Sequence, residues 1–168
     1  MSQPVDPLNS PDANARAFAF LRIAVGVFFL IFGEYKVFGT QFTLHGGFQF
    51  WINKWLQEGG AYPFMAPVSK HFVLPHATPI AFLVAYGEFS IGLAMVLGLL
   101  VRPASAGGLI FMLTLLFSSD YPGPGALFWQ YFGASLSHSI LALCFISFLI
   151  SGSSIPFSVS HLRSKDSR

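Results

Sequence analysis

Four long apolar runs dominate this 168-residue chain and limit the folds open to it. They cover about residues 17–38, 79–101, 104–119 and 127–150. A helix of about 20 residues crosses a bilayer core of about 30 Å, so the runs predict four membrane spans. Charged residues make up only 10% of the chain and hydrophobic residues 54%, which leaves too little polar surface for a water-soluble domain. The predicted fold is an all-α integral membrane four-helix bundle.

The segments around these runs are polar or amphipathic. We expect a flexible tail over residues 1–16, a single membrane domain over 17–151 and a polar cytoplasmic tail over 152–168. In the first outer loop, apolar residues recur at helical spacing over 47–58, with polar residues opposite them. Two tryptophans on the apolar face favour a helix that lies along the membrane surface. The alternative is a lid packed on the bundle.

The distribution of charge predicts orientation and excludes some partners. With four spans, six of the nine Lys and Arg residues fall on the side that holds both termini. The positive-inside rule then places both termini in the cytoplasm. The scattered cations form no basic stripe, so nucleic-acid binding is not expected. The single cysteine, Cys144, lies in an apolar run and excludes dithiol chemistry within the chain.

Ionisable residues inside apolar spans are energetically costly and are therefore functional candidates. Glu88 in the second span and His138 in the fourth are expected to lie about 13 Å and 16 Å from the outer membrane face, where they could meet. Glu34 and Lys36 lie near the outer end of the first span, and either could reach into the bundle. Two interpretations of Glu88 remain open. It is either a link between helices, protonated or paired with Lys36 or His138, or part of a substrate or quinone site.

Further polar residues predict a pocket that opens outward. Tyr131, Ser135 and His138 fall on one face of the predicted fourth helix. His138 is the one histidine within a predicted span, so a haem held by two intramembrane histidines is not expected, and no metal-ligand spacing occurs in the sequence. Arg22 lies one to two turns from the cytoplasmic end of the first span and is expected to reach lipid phosphate.

Four short motifs, taken together, resemble the DoxX family of small four-span membrane proteins. The motifs are RIAVG at 22–26, GEYK at 33–36, EFSIG at 88–92 and GLLVRPA at 98–104. The resemblance covers about residues 18–117. It implies a bacterial or archaeal cytoplasmic membrane protein, and it selects Arg22, Lys36, Glu88 and Arg102 as family positions.

The resemblance also implies a function, because named members of the family are associated with quinone-linked sulfur oxidation, respiratory complexes and redox maturation. The leading hypothesis is an accessory or anchoring subunit of a redox or energy-converting complex, without catalysis or a cofactor of its own. Its expected partners are lipids, other membrane subunits and a quinone or another small apolar molecule. The first alternative is a quinone-reactive oxidoreductase subunit that uses Glu88 and His138. The second is a small transporter or channel, disfavoured because the polar cluster is confined to the outer half.

Overall fold

The computed structural model describes residues 11–133 and 136–151, and within these two ranges the regular structure is helical. The α-helices are α1 Pro11–Phe38, α2 Thr40–Thr43, α3 Gly47–Gln57, α4 Met65–Val68, α5 Ala77–Leu97, α6 Val101–Ser119 and α7 Ser137–Ser151. A π-helical turn, Ser69–Val73, continues α4, and a 3-10 helix, Phe128–Phe132, precedes α7. The prediction of an all-α membrane protein is confirmed.

Three helices are long and apolar enough to cross a membrane: Ala13–Phe38 within α1, all of α5 and all of α6. The first helix begins at Pro11, earlier than the predicted start at residue 17. Proline is favourable at the first helical position, because the backbone N–H that it lacks would have no hydrogen-bond partner within the helix there. Residues 11–16 are therefore helical rather than part of a flexible tail, whereas 1–10 and 152–168 lie outside the described residues.

The fourth apolar run does not form the continuous helix predicted over 127–150. The 3-10 helix ends at Gly133, which has a φ of 92°, and Leu136 has a φ of 56°. Positive φ is favourable for glycine and strained for leucine, so the helix breaks here. Within the described residues α7 runs for 15 residues after the break, about 22 Å at about 1.5 Å per residue. This correction moves His138 to the first turn of α7.

The long helices form two antiparallel pairs, α1 with α5 and α6 with α7. Glycines let the backbones of α1 and α5 approach closely. A Cβ added to Gly33 would lie 2.6 Å from the backbone nitrogen of Phe89, and one added to Gly92 would lie 2.6 Å from that of Leu30. Small residues serve the same purpose at helix interfaces in other membrane proteins.

A core of aromatic and sulfur-containing side chains joins the two pairs. It lies toward the end of the bundle that holds the α5–α6 turn, which we call the inner end, whereas α3 lies at the opposite, outer end. Phe29 on α1 and Phe145 on α7 are both buried, and their rings meet edge to face at a centroid distance of 5.1 Å. Met95 on α5 and Met112 on α6 are buried in the same cluster. A tight turn, with Gly98 at φ 67°, connects α5 to α6. The inner half is therefore well packed.

The amphipathic helix predicted over 47–58 is present as α3. Its buried residues Phe48 and Ile52 pack against Ala77 and Ala81 at the outer end of α5. Trp51 on the same helix is partly exposed. The apolar face thus covers the outer end of the bundle, as expected for a lid.

Candidate functional site

A cavity of about 1040 Å³ lies in the outer half of the bundle, lined mainly by residues of α1, α3, α5 and α6, with contributions from α2, α4, the π-helical turn and α7. Its aromatic lining includes Phe42, Phe48, Trp51, Trp55 and Phe111. Its polar lining comes from Lys36, Ser69, Glu88, Thr114, Ser118 and His138. Small-molecule sites have this character, with mostly apolar walls and a few placed polar groups.

An ion pair between α1 and α5 forms part of the cavity wall. The Nζ of Lys36 donates to the Oε2 of Glu88, and these side chains are only 19% and 8% exposed. The same ammonium lies 5.2 Å from the ring centroid of Phe42 and 5.9 Å from that of Phe111, within cation–π range. Of the two partners considered for Glu88, the structure places Lys36 beside it.

The close approach of α1 and α5 positions this pair. Lys36 follows Gly33 by three residues, and Glu88 precedes Gly92 by four, so each charged side chain lies one turn from a contact glycine. Because the two backbones nearly touch at these glycines, the lysine does not have to extend into lipid to reach the carboxylate. The sequence thus places both charges on the helix faces that meet.

His138 has a different partner from the one predicted. Its Nδ1 lies 2.7 Å from the Oδ2 of Asp120, the residue that ends α6, and Ser119 donates to the other oxygen of Asp120 at 2.7 Å. The expectation that Glu88 and His138 meet near mid-membrane is not met, because the break at Gly133 places His138 at the outer end of α7. Both residues nevertheless line the same cavity.

The predicted stripe of Tyr131, Ser135 and His138 does not lie on a single helix. Tyr131 belongs to the 3-10 helix, where its hydroxyl donates to the carbonyl of Gly123 at 3.2 Å, and His138 belongs to α7. Ser135 lies outside the described residues. Tyr131 therefore stabilises the outer loop, and within the described part of the site it is not among the residues that line the cavity.

Tyr62, which sequence analysis did not select, anchors the outer loop beside the α6 end. Its hydroxyl donates to the carbonyl of Tyr131 at 2.5 Å, and its ring centroid lies 5.0 Å from that of Tyr121. Burial, with a further contribution from the charge of Asp120, raises the pKa of Tyr62, so the hydroxyl remains protonated and continues to donate.

Three other predicted residues lie away from the cavity. Glu34 is exposed on a different face of α1 from Lys36, and Arg102 is exposed in the first turn of α6. Arg22 is 0% exposed and donates to the backbone carbonyl of Met95 near the end of α5, so the expectation that it reaches lipid phosphate is wrong. The last four carbonyls of a helix lack partners within it, and a cation is favourable at that end.

Sequence analysis also missed Asp120, Trp51 and Trp55 as site residues. Asp120 was assigned to a turn, and its partner lies 18 residues ahead with no helical spacing to reveal the pair. The signal that was available is an acidic residue at the end of an apolar helix, where it needs a partner. The two tryptophans were placed at the membrane interface, whereas both line the cavity.

Comparison with known families identifies the segment that contains α1 to α6. The sequence profile of the DoxX family matches residues 17–119. The chain belongs to the DoxX family. It is therefore an integral membrane protein. The matched segment includes both residues of the Lys36–Glu88 pair and ends before Asp120 and His138. Comparisons with curated proteins and with solved structures gave no match. In the two described ranges, no group of three or more His, Cys, Asp or Glu residues could hold a metal ion.

Proposed function

We propose that this DoxX protein is an accessory subunit of a redox membrane complex and that its cavity holds a quinone. The observation that carries the proposal is the ion pair of Lys36 and Glu88 in the wall of a large, mainly aromatic cavity. A quinone has a planar ring with carbonyl acceptors, and this lining offers both aromatic faces and a buried cationic donor.

Each side chain of the wall has a definite part in such a site. The ammonium of Lys36 has three N–H donors, one of which serves Glu88, so others remain for a ligand carbonyl. Glu88 neutralises and orients that ammonium, whose charge would otherwise be costly in an apolar site. Phe111 and Trp55 supply ring faces against which a planar group can pack. A bound quinone would supply two-electron, two-proton redox chemistry.

The pairing of the ionisable groups favours an accessory role over catalysis. Glu88 is held by Lys36, and His138 is held by Asp120, so the carboxylate, the ammonium and the imidazole of the wall each already have a partner. Such pairs position a ligand. A quinone-reactive subunit is the second candidate, favoured by one observation: His138 lines the cavity while Asp120 orients its ring through Nδ1, an arrangement that suits proton transfer.

Tryptophan fluorescence tests the binding proposal directly. The chain has three tryptophans, and Trp129 does not line the cavity. In the Trp129→Phe variant, tryptophan emission comes only from Trp51 and Trp55. In lipid nanodiscs, decylubiquinone should quench this emission saturably. The double variant Lys36→Met/Glu88→Gln should bind about tenfold more weakly or worse, since a hydrogen bond to a charged group contributes about 1.5–3 kcal/mol.

The matched control is the exposed pair on α3, Lys54 and Glu58, whose charged atoms lie 3.9 Å apart. Lys54→Met/Glu58→Gln makes the same chemical change at residues outside the cavity lining and should leave the affinity unchanged. Because the Lys54 ammonium lies 5.0 Å from the ring centroid of Trp51, affinity is taken from the concentration at half-maximal quenching rather than from the emission intensity. Quenching that never saturates, or that both double variants reduce equally, would contradict a quinone site. For the accessory role, purification in mild detergent should yield stoichiometric redox subunits. A chain that purifies alone and reduces quinone would instead support the second candidate.

A further inference from the structure

The cavity has an opening on the lipid-facing side of the bundle, between α5 and α6. Leu83 on α5 and Ile110 on α6 both line the cavity, and yet they are 73% and 67% exposed. Nearer the inner turn the two helices are in contact, because a Cβ added to Gly107 would lie 3.4 Å from the side chain of Ile91. The gap therefore belongs to the outer part of the helix pair.

Gly87 lies beside this gap and keeps it clear. It lines the cavity, and a Cβ added to it would have no atom within 4 Å. The glycines at the α1 contact differ in this respect, since a Cβ on Gly33 would strike the backbone of Phe89. Gly87 thus has no packing role that requires glycine, and it leaves space where any larger residue would narrow the opening.

The depth of the opening determines what can pass through it. Gly87 is ten residues from the start of α5 and Ile110 nine from the end of α6, distances of about 15 Å and 14 Å along the helices. Both therefore lie near the middle of a bilayer core of about 30 Å. A polar group is unfavourable at that depth, whereas a hydrocarbon chain is in its preferred surroundings.

We propose that the gap bounded by Leu83, Gly87 and Ile110 is the opening through which the tail of a membrane-borne ligand reaches the lipid. The head of that ligand lies against Lys36 and Glu88. This inference rests on the proposed function and narrows it: the ligand is a lipid-soluble quinone with a single hydrocarbon tail, drawn from the bilayer rather than from water.

A second rim of the cavity, on α1, is less suited to a tail. Ile31, Phe32 and Tyr35 line the cavity there and are exposed. Tyr35 is only three residues from the end of α1, about 5 Å along the helix axis, and its hydroxyl suits the headgroup level. Ile31, the deepest of the three, is seven residues from the end of α1, about 10 Å, whereas Gly87 and Ile110 lie at about 15 Å and 14 Å. The gap between α5 and α6 is deeper and is therefore the favoured route for a hydrocarbon tail.

The test compares two ligands that share one ring. Decylubiquinone carries a ten-carbon tail, and the tail-less probe is the same dimethoxy-methyl-benzoquinone ring without it. Binding is measured in nanodiscs by quenching of the cavity tryptophans in the Trp129→Phe background, with each ligand expressed as its mole fraction in the bilayer. Gly87→Phe narrows the proposed opening, Ser90→Phe adds the same ring to an exposed site of α5 outside the lining, and Ile31→Phe enlarges a side chain at the α1 rim.

We expect Gly87→Phe to lower the affinity for decylubiquinone about tenfold or more and to change the affinity for the tail-less ring by less than about threefold. Ser90→Phe, outside the lining, should leave both affinities within about twofold. Ile31→Phe enlarges a lining residue and should affect the two ligands to the same extent, without selectivity for the tail. Gly87→Leu, a smaller change, should give the same selectivity if Gly87→Phe fails to fold.

Three results would overturn the inference. Equal weakening of both ligands by Gly87→Phe would mean that residue 87 bounds the head site, and no weakening would mean that the tail does not pass there. Selective weakening by Ile31→Phe instead would place the tail at α1. If the wild-type protein binds neither ligand, the result contradicts the proposed quinone site as well as this inference.

Discussion

Replacing Gly33 by alanine should push α1 and α5 apart. The new Cβ would lie 2.6 Å from the backbone nitrogen of Phe89 and 2.7 Å from its Cα, whereas ordinary Cβ contacts begin at 3.4 Å. The difference between 2.6 and 3.4 Å requires a backbone shift of about 0.8 Å. Rotation of a side chain cannot relieve this contact, because the struck atoms belong to the helix backbone.

The size of the effect follows from two opposing contributions. Overpacking of a close contact costs about 1–3 kcal/mol. Alanine offsets up to about 1 kcal/mol of this through its higher helix propensity. We therefore expect the free energy of unfolding to fall by about 1–2 kcal/mol. The displacement should also weaken quinone binding, since Lys36 lies one turn beyond Gly33 and Glu88 immediately precedes Phe89.

The assay is reversible unfolding in mixed micelles of dodecyl maltoside and SDS, followed by circular dichroism. Gly87→Ala is the matched control on the partner helix, because its Cβ would meet no atom within 4 Å. That variant should be unchanged or up to about 1 kcal/mol more stable. The reasoning is refuted if Gly33→Ala is as stable as wild type, or if the two variants lose the same stability.

Four further predictions concern other parts of the molecule. Glu88→Gln should lower stability by about 3–5 kcal/mol because Lys36 is left buried without a counter-ion, and adding Lys36→Met should recover much of that loss; additive effects in the same unfolding assay would contradict the pairing. Arg22→Met should cost about 1–3 kcal/mol in that assay by leaving the Met95 carbonyl without its donor, and an unchanged midpoint would show that the bond is unimportant. Cys144→Ala should cost at most about 1 kcal/mol and leave ligand binding intact. Reporter fusions after α3 and after α7 should report opposite sides of the membrane, with the C-terminal fusion cytoplasmic; a shared side would refute the predicted orientation.

Periodicity predicted the elements whose structure depends on local sequence. The apolar spacing over 47–58 matches α3, Gly47–Gln57, and its two following glycines end the helix. The runs over 79–101 and 104–119 match α5 and α6 to within a few residues at each end. The boundary between them follows from Gly98, whose left-handed conformation ends α5 before residue 101.

Hydropathy failed where an apolar segment adopts a non-helical backbone. Residues 127–150 are mainly apolar, so hydropathy alone does not distinguish the 3-10 helix and the Gly133 break from a continuous span. A single glycine inside a helical pattern is usually tolerated, and here the difference lies in its φ of 92°. The predicted depth of His138 assumed a continuous helix over 127–150, and it was wrong because α7 begins at Ser137.

The two polar pairs show a second limit of sequence analysis. Lys36 and Glu88 are 52 residues apart, and His138 and Asp120 are 18 apart, so no local spacing relates either pair. Glu88, Lys36 and His138 were selected as polar residues in or near apolar runs, and all three line the cavity, although the depth predicted for His138 was wrong. Which charge meets which depends on helix rotation and on the glycine contacts.

The arginine that meets the inner end of α5 has a mechanical consequence. Arg22 and Lys36 are 14 residues apart on α1, about 21 Å along its axis, and each bonds to α5, one near its C-terminus and the other at mid-helix. The two helices are thus fastened at two separated points and should move as one rigid body. Widening of the cavity then requires α3 or α6, the other main walls, to move relative to the α1–α5 pair.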